Sequence, residues 1–214
     1  MKLPTLVVLA LFLLSTGSLL RAQIAIEGHV VLRKPAAAPV INQRYGGAVD
    51  PSVIVPDPPR AVIYLDGDFP PPKTPPRAEM AQKNLSFVTP LLPVQVGAIV
   101  DFPNLDDTFH NIFSYSKPKR FDLGRYRGDE RPIPSQLFDK PGVVPLHCDI
   151  HEHMHAIILV LNTPYFTLTN PEGKYRLENL PAGHFVVKAW VDSRTTLEHP
   201  VDLKPGAVAH LDFP

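Results

Sequence analysis

The chain has 214 residues, 44% of them hydrophobic, and its 21 basic side chains balance its 21 acidic ones. This allows one or two packed domains, and the zero net charge gives no sign of a protein that binds nucleic acid or an anionic membrane. The 26 prolines and the scarcity of long amphipathic patterns favour an all-β fold with long loops, because proline interrupts helices and occupies turns and strand edges.

Residues 1–22 are typical of a secretory signal peptide. Lys2 precedes a short apolar run, residues 5–14, and small polar residues then lead to a cleavage point after Arg21-Ala22. The run is short for a membrane span. An uncleaved anchor is the alternative, because Leu20 does not fit the small residue expected near the cut. We therefore expect a periplasmic or otherwise extracytoplasmic protein.

Apolar stretches predict several strands in the first half of the chain. Residues 24–32 and 61–65 are the first two, and three more are expected at 84–88, 91–96 and 98–102. Val94 and Val96, then Val100 and Phe102, alternate with the period of a strand that buries one face. The proline-rich stretches 35–59 and 69–76 are expected to be extended, solvated loops.

A histidine follows this group of strands. His110 lies in the stretch 104–113, directly before Asn111. Residues 114–131 are polar and lean towards basic, which indicates a solvated loop and a short strand, with a docking patch for an acidic partner as the alternative. Residues 136–142 predict another strand and a turn that feed the most unusual segment of the chain.

That segment is residues 146–155, Leu-His-Cys-Asp-Ile-His-Glu-His-Met-His. It contains the only cysteine of the chain, and an apolar strand pattern, 156–161, follows it. A single cysteine is usually a buried hydrophobic residue. In an exported chain, however, thiols tend to pair as disulfides, so one unpaired cysteine beside four histidines and a methionine needs another explanation. Metal ligation supplies it.

The spacing indicates which metal. Cys148, His151 and Met154 follow a C-x2-H-x2-M pattern, and a trigonal copper site needs one thiolate, two imidazoles and a long axial thioether. His110 is the upstream candidate for the second imidazole. The alternative is zinc, held by Cys148 with two or three of the loop histidines; a tetrahedral zinc site would use neither the methionine nor His110.

One distant histidine followed by a closing Cys-His-Met loop resembles the cupredoxins, the small blue copper proteins, and the two-residue gaps resemble the amicyanin type of loop. The stretch 86–104, with Phe87, Pro90 and Asn104, resembles the strands that lead to the first ligand in that family. The resemblance implies one type 1 copper ion held by His110, Cys148, His151 and Met154. It also implies that Asn111 ties the two ligand-bearing loops together and that the redox partner is a quinoprotein or a cytochrome.

The last segment has a different character. The run from Gly173-Lys174-Tyr175 through Leu180-Pro181 to Trp190 resembles the β-sandwich modules called carboxypeptidase regulatory-like or transthyretin-like. We therefore divide the chain into the signal peptide, a Greek-key cupredoxin-like β-sandwich at 23–162, and a small sandwich segment at 163–214. About fifty residues make only a partial sandwich, so strands 26–32 and 61–65 are candidates to complete it.

Two functions fit this chain. The first is a one-electron carrier between redox proteins, and the second is copper binding for delivery or buffering, or a non-redox interaction module, in which His147, His153 and His155 add ligands. We do not expect an enzyme. The paired His-x-His motifs of multicopper oxidases occur only within the one loop, and a single cysteine provides only one thiolate-bound site.

Overall fold

We describe a computed structural model of the chain for residues 23–32 and 59–214. The predicted signal peptide, residues 1–22, and most of the first proline-rich loop lie outside these residues. The described part contains seventeen strands and no helix, so the all-β prediction is confirmed, and no segment of it is a helix able to cross a membrane. The strands are β1 Ala25–His29, β2 Val62–Asp66, β3 Arg77–Glu79, β4 Gln82–Lys83, β5 Ser86–Phe87, β6 Leu91–Gln95, β7 Ala98–Asp101, β8 His110–Tyr115, β9 Arg120–Tyr126, β10 Ser135–Phe138, β11 Gly142–Cys148, β12 His155–Leu161, β13 Phe166–Leu168, β14 Lys174–Leu177, β15 Gly183–Asp192, β16 Thr195–Leu203 and β17 Val208–His210.

The first sandwich contains the strands from β3 to β12. A five-stranded sheet in the order β6-β12-β11-β8-β9 packs against a three-stranded sheet in the order β10-β7-β3, and β4 and β5 form a short hairpin beside them. The inward side chains of both sheets share one core, in which Phe102, Phe138, Leu146 and Ile158 are fully buried. This interleaving of two apolar faces is what stabilises a sandwich.

The second sandwich joins strands from distant parts of the sequence. One sheet has the order β13-β2-β15-β16 and the other β14-β1-β17. Thus β1 and β2, which the sequence places in the division 23–162, pair with strands of the C-terminal segment. Their side chains, including Ile26, Ile63 and Leu65, supply much of the apolar core that the short C-terminal segment needs.

The first sandwich is therefore inserted into the second. It leaves after β2 and returns before β13, and these two strands are antiparallel neighbours with Tyr64 opposite Phe166. A shared apolar cluster fills the contact between the sandwiches, where Val62 and Trp190 pack against Leu91, Ile157 and neighbouring residues of the large sheet. The part of the outer face of that sheet that these residues form is thus buried against the second sandwich.

Two backbone features position the end of the large sheet where the histidines gather. Strands β8 and β11 pair only at Phe113–His147 and Ile112–Cys148, because Pro145 has no N–H to donate further along. On the other side of β8 the register with β9 shifts by one residue, with Gly124 at a φ of 68°. Such a bulge re-aims the strand end, and here that end is His110.

Candidate metal centre

Three side chains named from the sequence meet at this end of the sheet. His110 begins β8, Cys148 ends β11, and His151 lies in the connection between β11 and β12. Their ligand atoms all lie within 4.8 Å of one another. The register that places Cys148 opposite Ile112 brings the thiol to the strand start that carries His110.

The distances fit a single ion. The Nδ1 atoms of His110 and His151 are 3.2 Å apart, and the Cys148 Sγ is 3.9 Å from the first and 3.7 Å from the second. A point equidistant from the three atoms lies about 2.1 Å from each, close to the length of ordinary metal bonds to imidazole nitrogen and thiolate sulfur. The donor set is two imidazoles and one thiol in a triangle.

The cluster is shielded from water on its inner side. His110 is fully buried, Cys148 is 4% exposed, and His151 is partly exposed. Burial, together with the neighbouring imidazoles of His110 and His153, lowers the pKa of His151 below its ordinary value. A lowered pKa keeps this ring neutral, which is the form that binds metals.

Met154, the fourth residue named from the sequence, lies at the end of the same loop. Its backbone N–H donates to the His151 carbonyl at 2.9 Å, which closes a turn, and its side chain is 1% exposed. The side chain belongs to the same apolar core as Cys148. The thioether is therefore held on the buried side of the loop that carries His151.

A carboxylate that the sequence analysis did not single out holds His110 from behind. The Asp106 Oδ2 is 2.9 Å from His110 Nε2, and backbone N–H groups of Asn84 and Leu85 also donate to this carboxylate. Partial burial alone would raise the pKa of Asp106, but these hydrogen bonds hold it below the ordinary value. The ionised carboxylate only accepts, so His110 Nε2 carries the proton and Nδ1 presents its lone pair to the cluster.

The hairpin turn between β4 and β5 connects both ligand-bearing loops. Asn84 and Leu85 each have a φ of 54°, and for leucine this left-handed conformation is unfavourable. Asp106 anchors the turn from one side, and on the other His153 Nε2 lies 2.9 Å from the Leu85 carbonyl oxygen. His153 thus contacts this turn, and it is His151 that joins the three-donor cluster.

Asn104 shapes the loop that carries Asp106. Its side-chain N–H groups donate to the carbonyls of Thr108 and Tyr126, and its Oδ1 accepts from the Asp106 backbone N–H. Asn104 stands in the stretch 86–104, but no spacing rule reveals this role.

Asn111 differs from the expectation that it ties the two ligand-bearing loops. Its Nδ2 donates to Asp122 Oδ1 at 2.6 Å on the neighbouring strand β9, and the same oxygen accepts from the Gly124 backbone N–H. The reason is the bulge, which places Asp122 beside Asn111. Asn111 therefore braces the β8–β9 pair.

Several solved structures resemble part of this chain. An oxidised point mutant of amicyanin is 21% identical, with a TM-score of 0.35, over 39% of this chain and 80% of its own. A purple cupredoxin from Nitrosopumilus maritimus is 20% identical, with a TM-score of 0.34, over 40% and 99%. A copper-containing nitrite reductase from Thermus scotoductus is 26% identical, with a TM-score of 0.36, over 41% of this chain and 22% of its own. No family model and no curated protein matches the sequence.

Proposed function

We propose that this protein is a type 1 copper protein that carries single electrons, with one ion held by His110, Cys148, His151 and, axially, Met154. The observation that carries the proposal is the triangle of two imidazole nitrogens and one sulfur. Two histidines and a cysteine in trigonal arrangement with a weak thioether are the ligand set of blue copper. Zinc prefers a closed tetrahedral set, and the buried thioether of Met154 is not among its usual ligands.

When bound, copper supplies one-electron redox chemistry, and the protein residues fix the geometry in which it occurs. His110 is held by Asp106 and Cys148 by its place in β11, so neither donor needs to move when the charge at the site changes. Small rearrangement favours rapid electron transfer. The buried thioether and the apolar surroundings of Cys148 adjust the reduction potential.

We infer further that the protein does not turn over a substrate. Four protein ligands fill the proposed site, whereas catalytic metal sites keep a position open for water or substrate. From the spacing of the loop, we propose that the site is of the amicyanin type. The second sandwich is proposed as a carboxypeptidase regulatory-like module, and residues 1–22 are proposed to export the protein from the cytoplasm.

A redox partner docks, in this proposal, on the loops around His151. Apolar side chains are exposed on each of these loops: Leu85, Leu105, Phe109 and Ile150. Phe109 and Ile150 directly precede His110 and His151 in the chain, so the patch lies beside the partly exposed His151 ring. Such an apolar surface suits a transient protein partner, and a quinoprotein or a cytochrome is the class we propose.

The test is the visible spectrum of the copper-loaded protein. An intense thiolate-to-copper band in the orange-red region is expected for Cu(II). Its absence in fully loaded protein would favour zinc or storage. Voltammetry, followed by a chelator challenge after reduction, distinguishes an electron carrier from copper delivery, the second candidate. A carrier cycles reversibly and keeps Cu(I), whereas a delivery protein gives Cu(I) up to the chelator.

A further inference from the structure

Two histidines face each other on the opposite side of the large sheet from the proposed copper site. His147 in β11 is the direct cross-strand partner of His155 in β12. Their Nδ1 atoms are 3.1 Å apart, and the ring centroids are 5.2 Å apart at 80°. Successive side chains of a strand alternate between faces, so His147 points outward where its neighbour Cys148 points into the core. The pair is therefore separate from the His110–Cys148–His151 cluster.

The pair has the geometry of a two-imidazole chelate. Its nitrogen–nitrogen distance, 3.1 Å, nearly equals the 3.2 Å between His110 and His151 in the three-donor cluster. Two metal–nitrogen bonds of about 2.0 Å bridge such a gap with a single ion. His155 is exposed, so the remaining coordination positions face solvent and can be filled by water.

The surroundings hold the two rings in place. The antiparallel register fixes the separation of the two backbones. The Phe113 ring lies 5.6 Å from the His147 ring at 33°, and Phe113 is itself the register partner of His147 on β8. A pair arranged in advance loses little side-chain freedom when it binds an ion.

We propose that His147 and His155 form a second metal site, for a divalent transition-metal ion of the kind that imidazole prefers. Copper(II), nickel(II) and zinc(II) all bind imidazole, and copper(II) binds most tightly in this series. A thiolate is not part of the pair, so an ion there does not produce the intense visible band of the proposed first site. The inference does not depend on what the first site holds.

The test is a calorimetric titration with Ni(II) of the full chain preloaded with one equivalent of copper. Nickel is the probe because it binds more weakly than copper and so does not displace the first ion. We expect one Ni(II) per chain in the unmodified protein and loss of that binding event in His155→Ala and in the similar-sized His155→Gln. The unmodified chain and the two variants carry the same three-donor cluster. The difference between their isotherms therefore reports the second site, whatever fills the first.

His184→Ala is the matched control, because it removes an exposed histidine of the second sandwich, 88% exposed and paired with Asp202. It should bind Ni(II) as the unmodified chain does. An unchanged isotherm in both His155 variants would overturn the proposal and leave the contact as a hydrogen bond between neutral imidazoles. A far-ultraviolet circular dichroism spectrum equal to that of the unmodified chain shows that those variants are folded.

Discussion

The Asp106 carboxylate and the Nε2 atom of His110 lie 2.9 Å apart, behind a histidine ring that is fully buried. This contact selects the tautomer of His110 and turns its Nδ1 towards Cys148 and His151. The same carboxylate accepts hydrogen bonds from the backbone of the β4–β5 turn. One acidic side chain thus supports both a proposed ligand and the turn that contacts the second ligand-bearing loop.

The first prediction concerns this carboxylate. Asp106→Asn should weaken copper binding by roughly 10- to 100-fold, as is typical when a hydrogen-bond partner of a metal-binding histidine is removed. It should also raise the reduction potential, because a negative charge behind His110 favours the more highly charged Cu(II). Competition with a chelator and voltammetry measure the two effects. Asp107→Asn, at the neighbouring exposed position, removes the same charge and is the control. Equal changes in copper affinity and reduction potential in both variants would show that only the long-range charge matters, and not the contact with His110.

The second prediction separates the loop histidines. His151→Ala should abolish the orange-red band of the copper-loaded protein, since the Nδ1 atom of His151 completes the three-donor triangle. His153→Ala should keep the band, because that ring contacts the Leu85 carbonyl. Spectra recorded at equal copper loading decide the matter, and loss of colour only in the His153 variant would reassign the ligand.

The third prediction tests the axial role of Met154. Met154→Leu should preserve the visible band and change the reduction potential, because the axial ligand tunes the potential while the thiolate gives the colour. The swap conserves volume, so the cost in unfolding free energy should stay below about 1.5 kcal/mol. Met80→Leu is the matched control, since Met80 is fully buried in the same core. A shift in the Met80 variant alone would contradict the assignment of Met154.

The fourth prediction concerns the contact between the two sandwiches. Trp190 is 4% exposed and belongs to the apolar cluster that both sandwiches share. Trp190→Ala should cost about 3–5 kcal/mol of unfolding free energy, and the two sandwiches should then unfold in separate steps. Urea unfolding followed by both the copper band and far-ultraviolet circular dichroism tests this. Trp190→Phe, which keeps an aromatic ring at this position, is the control and should show coincident transitions. Coincident transitions in Trp190→Ala as well would show that other contacts couple the two sandwiches.

The sequence predicted the strands best where apolar alternation was strong. The stretches expected at 91–96 and 98–102 contain β6 and β7. Pro200 lies within the nine-residue strand β16, although proline is unusual in the interior of a strand. That strand is at the edge of its sheet, where a missing N–H is tolerated.

For the metal centre, the spacing within one loop predicted Cys148 and His151 as ligands. Bringing these residues close to His110 required only that strands β8 and β11 pair. Asp106 was beyond sequence reasoning, because the adjacent Asp107 offers the same chemistry and only the loop held by Asn104 turns one of them inward. The left-handed Leu85 was also hidden, since leucine gives no turn signal. These features arise from tertiary contacts and leave no local pattern.

The nesting of one sandwich inside the other determines the order in which the two sandwiches can be completed as the chain is made. His29 and Asp212 are hydrogen-bonded although they lie 183 positions apart in the sequence, so β1 and β2 are made early and their partners much later. The strands β3 to β12 emerge consecutively, and chains fold domain by domain as they are made. All three donor residues belong to the inner sandwich, so the strands that carry them are complete before the last partners of β1 and β2 have been made.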